Sequence, residues 1–155
     1  MDDNDHLVGL GKVIGNLHAV EQVMRIFLCE AKGESIAYPK QGDTQLPETY
    51  LTNFMSLGEV VKTYNAILSA TEQIYAVDME IVKVRDAVAH GRLASLSESF
   101  PLTLYKFGKP SNKMVPIEYA EEFSQTWLKE RCALIFAQIG KVRNCSKSRN
   151  YKFLK

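Results

Sequence analysis

Long apolar runs are missing from this sequence. The longest, residues 132–137, has six residues, whereas a membrane-spanning helix needs about 20, so no such span is expected. Paired cysteines are missing too. Cys29, Cys132 and Cys145 are odd in number and widely separated, with no Cys-x-x-Cys step, which argues against a disulfide framework and against a zinc knuckle and leaves buried, reduced thiols as the expectation. The first residues, Met1-Asp2-Asp3-Asn4-Asp5-His6, are acidic where a secretory or transit peptide would be basic; a cytoplasmic location is the default expectation. All five prolines fall within residues 34–52 or 92–117, so the stretches with helical patterning contain none. No internal repeat or low-complexity tract is present.

What remains is the composition of an ordinary globular protein, 46% hydrophobic and 24% charged. A chain of 155 residues fits one domain, residues 1–155, able to bury about two thirds of its unfolded surface. The formal charge is +1 but unevenly spread: residues 141–155 hold six Lys or Arg and no acid, leaving 13 basic and 18 acidic groups elsewhere. A cationic tail on a mildly acidic body hints at a polyanionic partner.

The strongest periodic signal is Leu10, Val13, Ile14, Leu17, Val20, Met24, Phe27, Leu28 and Ala31, whose steps of three and four predict a long amphipathic helix ending at Gly33 in a left-handed cap. Residues 34–52 read as a long connection, with a short helix near Glu48 to Phe54 as one way to fill it. Ser56-Leu57-Gly58-Glu59 has capping-box spacing and opens a second helix through Val60, Val61, Tyr64, Ile67 and Leu68. A turn near Ala70-Thr71 separates it from a third, carried by Ile74, Val77, Ile81, Val84 and Val88 and closing at Gly91. Leu102-Thr103-Leu104-Tyr105-Lys106-Phe107 is β-prone and can pair with Met114-Val115 as a small hairpin. The last helix is predicted from about Tyr119 to Val142, with Phe123, Trp127, Leu128, Leu134, Ile135 and Ile139 inward. Together these predict an all-α antiparallel bundle of four to five helices, with the possible hairpin between the last two main ones.

One hexapeptide carries chemistry: Arg85-Asp86-Ala87-Val88-Ala89-His90, at the end of the third helix. Arg85 and His90 are five residues apart, about 140° around a helix axis, while Asp86 and His90 share a face. An active site built from this hexapeptide needs a relaxed helix end near His90 and a second subunit. A cationic His also suits the negative end of the helix dipole.

Arg, a polar residue, three more residues and His, closing a helix in an all-helical domain, resembles the active-site motif of the HEPN superfamily. That family includes many metal-independent ribonucleases of toxin-antitoxin, abortive-infection and CRISPR systems, and its members usually dimerise so that two motifs line one cleft. The resemblance implies Arg85 and His90 as catalytic residues with Asp86 in the polar position, and no metal or cofactor. It also implies RNA as substrate, a homodimer, and an antitoxin or other regulatory protein as a possible partner. It covers the motif and the helix count. In one toxin subgroup a Tyr two residues after the His accepts nucleotides; here that position is Arg92, so silencing of that kind is not implied.

The implied chemistry is self-contained. RNA supplies its own 2′-hydroxyl nucleophile, His suits the proton transfers because its ordinary pKa lies near neutrality, and Arg offers a permanent charge matched to phosphate oxygens. The product expected is a 2′,3′-cyclic phosphate, with DNA untouched. Asp86 can orient the imidazole or bridge to a partner's Arg. Arg92 can bind phosphate or simply lead out of the helix. A catalytically silent module of the same family, binding nucleic acid or a protein, is the alternative function; a helical adaptor unrelated to it is a third.

The remaining candidates read as structural. His18 lies beside Glu21 and Arg25 on the flank of the first helix, His6 in a terminus expected to fray, and Phe123, Trp127 and Phe136 at helical spacing belong to the core or an interface. Glu21 could complete the site only if its helix packs on the third.

Overall fold

The computed structural model describes residues 3–95 and 102–154; Pro101 and Lys155 lie outside them. The elements are α1 (Asp3–Lys32), α2 (Leu57–Ala66), a 3₁₀ helix (Ala70–Tyr75), α3 (Glu80–His90), β1 (Arg92–Ala94), β2 (Leu102–Phe107), β3 (Ile117–Phe123) and α4 (Gln125–Ser148). The expectation of an all-α bundle is overturned. The chain is mixed helix and sheet, with a three-stranded antiparallel sheet in the order β1-β2-β3. None of the described helices is long and apolar enough to cross a membrane.

The sheet replaces two expected features. β2 is flanked by β1, with Arg92 opposite Tyr105, and by β3, with Tyr105 opposite Ala120, and Met114-Val115 is not its partner. Met114 instead bridges to Ser111 across a two-residue turn, in which Asn112 and Lys113 both take positive φ, 50° and 63°, as a type I′ turn requires. The stretch predicted to begin the last helix is β3, and α4 starts six residues later, where the Ser124 side chain accepts the Trp127 amide at 3.2 Å. Residues 49–53 form a turn, Thr49 C=O accepting from Asn53 N–H at 2.9 Å, rather than a helix.

By its contacts the chain divides into two compact units, one of Met1–Leu17 and Glu80–Ile135, the other of His18–Met79 and Phe136–Lys155. In the first, β3 buries Tyr119 and Phe123 and exposes Ala120 and Glu122, the two-residue alternation of a strand with one face covered. Helix α1 begins at Asp3 instead of Leu10. His6 is therefore not frayed: it is 6% exposed and stacks on Phe123 at 6.0 Å. The Trp127 indole donates to Tyr119 Oη at 3.2 Å and to Glu121, whose carboxylate also holds Arg131 at 3.1 Å. Burial above all pushes the Tyr119 phenol up to about 12.

In the second unit, Val20, Met24, Phe27 and Leu28 of α1 are fully buried; each such side chain withdrawn from water contributes about 1.5–3 kcal/mol. The helix ends as predicted: Gly33 has φ +67°, and Glu34 N–H reaches back to Cys29 C=O at 2.9 Å, a Schellman closure. Arg25, 7% exposed, then pins residues 50–55 onto the helix. It donates to Tyr50 C=O and Asn53 Oδ1 at 2.8 Å each and to Met55 C=O, while pairing with Glu21 at 2.9 Å. The Ser56 capping box forms, Glu59 N–H donating to Ser56 Oγ at 3.3 Å and Ser56 N–H to the Glu59 carboxylate at 2.7 Å. At the end of α2 the Asn65 amide both accepts from and donates to the Val77 backbone at 2.8 Å; Ala70-Thr71, expected as a turn, opens the 3₁₀ helix, and α3 begins at Glu80 instead of near Ile74.

The cationic segment 141–155 is not a free tail. Most of it is the last part of α4, with Val142 and Cys145 fully buried. Lys141 donates to Ala76 C=O at 2.9 Å; Arg149 donates to the Glu72 carboxylate at 2.6 and 2.7 Å and to Ile67 C=O at 2.9 Å, and lies over the Phe27 ring. Hydrogen bonds from Arg149, and from the backbone and side chain of Ser69, hold the Glu72 carboxyl down to about 2. A depressed carboxyl stabilises the fold above its unfolded pKa and stops doing so as it protonates. Stability to urea, read by Trp127 fluorescence, will therefore fall as pH drops from about 4.5 towards about 2. Glu72→Gln will lower stability at neutral pH and flatten that acid slope; an unchanged slope would count against the pair.

Candidate functional site

Helix α3 positions the hexapeptide by burying Ile81, Val84 and Ala87 on one side, which leaves Arg85 and Asp86 half-buried on the flanks and His90 exposed at the end. The helix stays regular to its last residue: Gly91 N–H still donates to Ala87 C=O at 2.7 Å. The relaxed end that would let Arg85 curl towards His90 is absent. With regular geometry the two remain about 140° apart on the axis, and among the described residues no hydrogen bond or ion pair joins them.

Asp86 takes neighbours other than His90. Its Oδ1 lies 3.2 Å from Arg85 Nε, an ion pair not aligned as a hydrogen bond, and its Oδ2 lies 3.8 Å from Lys106 Nζ on β2. Lys106 also holds Glu118 of β3 at 2.9 Å. The Lys106 ammonium is pushed up from its ordinary value, mainly by its hydrogen bond to Glu118, with the Asp86 charge adding and Arg85 opposing. Four side chains from α3, β2 and β3 thus form one chain of alternating charge. Lys106 and Glu118 were invisible in the sequence because only strand pairing carries them to the helix.

Arg92 opens β1, exposed, with its guanidinium 5.7 Å from the Phe107 ring centroid. The site therefore offers an exposed imidazole, an exposed guanidinium two residues on, and a half-buried guanidinium and ammonium whose charges are offset by Asp86 and Glu118. Imidazole can move protons near neutrality and the cations suit an anion of phosphate type. Among the described residues no group of three or more His, Cys, Asp or Glu is placed to hold a metal ion.

The other sequence candidates stay structural. Glu21 is committed to Arg25, and His18 lines a shallow groove of about 650 Å³ with Gln22, Leu51 and Asn53. Phe123 and Trp127 are core, while Phe136 is 67% exposed.

Gly91 holds the site together. A Cβ there would stand 2.1 Å from Ala87 O and 2.9 Å from Tyr105 O, backbone atoms that yield only if the end of α3 unwinds and draws away from β2. Gly91→Ala should cost about 1–3 kcal/mol or more, measured by urea unfolding, and Asp86→Asn, which breaks half-exposed ion pairs, less than about 1 kcal/mol. The reverse order would show that the charges, not the close approach, hold α3 on the sheet.

The chain matches no protein-family model, no curated protein and no solved structure.

Proposed function

We propose that the protein is a metal-independent endoribonuclease in which His90 transfers protons while Arg85 and Arg92 bind phosphate. The observation that carries this reading is His90 itself: an exposed imidazole at the end of α3, flanked in sequence by two guanidinium groups. In the proposed step the 2′-hydroxyl loses its proton to one imidazole and its oxygen bonds to the adjacent phosphorus. The bond from phosphorus to the 5′-oxygen breaks, and that oxygen takes a proton as it leaves. A 2′,3′-cyclic phosphate and a 5′-hydroxyl result, without oxidant or cofactor. Arg charge offsets the negative charge that grows on the phosphoryl oxygens.

With α3 regular to its end, this reading requires a site made by two subunits. If Arg85 of one chain serves His90 of another about a two-fold axis, the angular separation on a single helix ceases to matter. The alternative reading, a silent module that binds nucleic acid or protein through the same surface, is favoured by the pairing of Arg85 with Asp86.

Cleavage of single-stranded RNA in EDTA, with 2′,3′-cyclic ends, is the expected result, and DNA of the same sequence should survive. His90→Ala should lower the rate about 10²–10⁴-fold, and Arg85→Ala should also reduce it severely. Mixing these two inactive variants should restore about one quarter of the activity, because half the randomly exchanged dimers carry one intact composite site. RNA bound but never cut would sink the catalytic reading in favour of the silent module, and mixing without rescue would place each site within one chain.

A further inference from the structure

The two faces of the sheet differ. One carries Leu104, buried, and Lys106, turned to Asp86 of α3. By alternation and register, Thr103, Tyr105 and Phe107 of β2 and Arg92 and Ala94 of β1 share the other. On that second face the Tyr105 and Phe107 rings lie nearly parallel, 13° apart in plane with centroids 6.2 Å apart, and the Arg92 guanidinium lies over one side of Phe107, 5.7 Å from its centroid. Phe107 is 42% exposed and Tyr105 half-buried. None of the three serves the core.

We propose that this face is a platform on which bases of single-stranded RNA stack, with Tyr105 and Phe107 supplying the aromatic surfaces and Arg92 the charge. The choice of RNA rests on the ribonuclease reading above; the stacking surface rests on the sheet alone. A flat aromatic face accepts any base, whereas paired bases have their own faces covered, so such a surface selects unpaired strands.

Charge points the same way. Beyond Phe107 the connection between β2 and β3, residues 108–116, brings Lys109 and Lys113 and no acid, and Glu118 is taken up by Lys106. Among the described strand residues the acid on this face, Glu122, stands opposite Thr103, two β2 positions further from Phe107 than Tyr105 is. The platform also adjoins the reacting group. His90 precedes Arg92 by two residues, so their Cα atoms lie within about 7 Å.

The test uses the full-length protein and a short 2′-O-methyl RNA, which cannot be cleaved because its 2′-oxygen is blocked, so binding is read apart from reaction. Fluorescence anisotropy should show tighter binding of the single strand than of its duplex. Phe107→Leu and Tyr105→Leu keep apolar bulk and remove the ring, and each should weaken single-strand binding at least about fivefold, with circular dichroism confirming an intact fold. Equal affinity for strand and duplex, unchanged affinity in both variants, or no binding at all overturns the platform, the last leaving the face for a protein. The two proposals fail separately: binding that needs Phe107 without any cleavage of ordinary RNA keeps the platform and discards the nuclease, while cleavage whose KM ignores both variants does the reverse.

Discussion

Around the candidate site, the structure depends on one close approach. Where α3 ends, the backbone at Gly91 is pressed between the carbonyl of Ala87, from its own helix, and the carbonyl of Tyr105, from the neighbouring strand. Only a residue without a side chain fits. Because it fits, the helix runs into β1 with no intervening loop, and the last helical residue and the first strand residues fall at determined places. His90 stands at the helix end, Arg92 opposite Tyr105. A longer connection would leave the imidazole and the strand guanidinium free to drift, and preorganisation of a charged site would be lost to chain entropy.

The cations sort by what surrounds them. Arg25, Arg131 and Arg149 are each anchored by a carboxylate, and Arg25 and Arg149 also by backbone carbonyls; all three serve the fold. Arg25 and Arg149 each also reach main-chain oxygens, so removing either would leave those carbonyls unpaired. Arg92 and His90 differ. They are exposed, and the aromatic contact of Arg92 leaves its N–H donors available for an anion. Segment 141–155 shows how misleading a count of charges can be: two of its basic groups, Lys141 and Arg149, are spent holding the second unit together, with Val142 and Cys145 buried between them.

Some of the fold was legible because it depends on neighbours in sequence. The stripe along α1, the left-handed residue at Gly33 and the Ser56–Glu59 capping box are local, each satisfied by atoms within about one or two helical turns. The hexapeptide was legible for the same reason, as was its angular problem, since residue spacing on a regular helix is a matter of geometry. β3 was not. Tyr119, Phe123 and Trp127 are spaced by four, which is close to one helical turn and is also two strand repeats, so the pattern satisfies either structure; what decides for a strand is pairing with β2, and no local signal encodes a partner 10 to 21 residues away.

The sequence by itself determined where helices could form, where they had to stop, and that one Arg and one His would close a helix without sharing its face. Tertiary structure alone decided that residues 117–123 form a strand, that Asp86 faces Lys106 and not His90, and that Tyr105, Phe107 and Arg92 share one surface. The physical reason is range. Helix hydrogen bonds and caps join residues a few positions apart, while sheet register and ion pairs between elements are selected only when distant segments compete for the same buried surface.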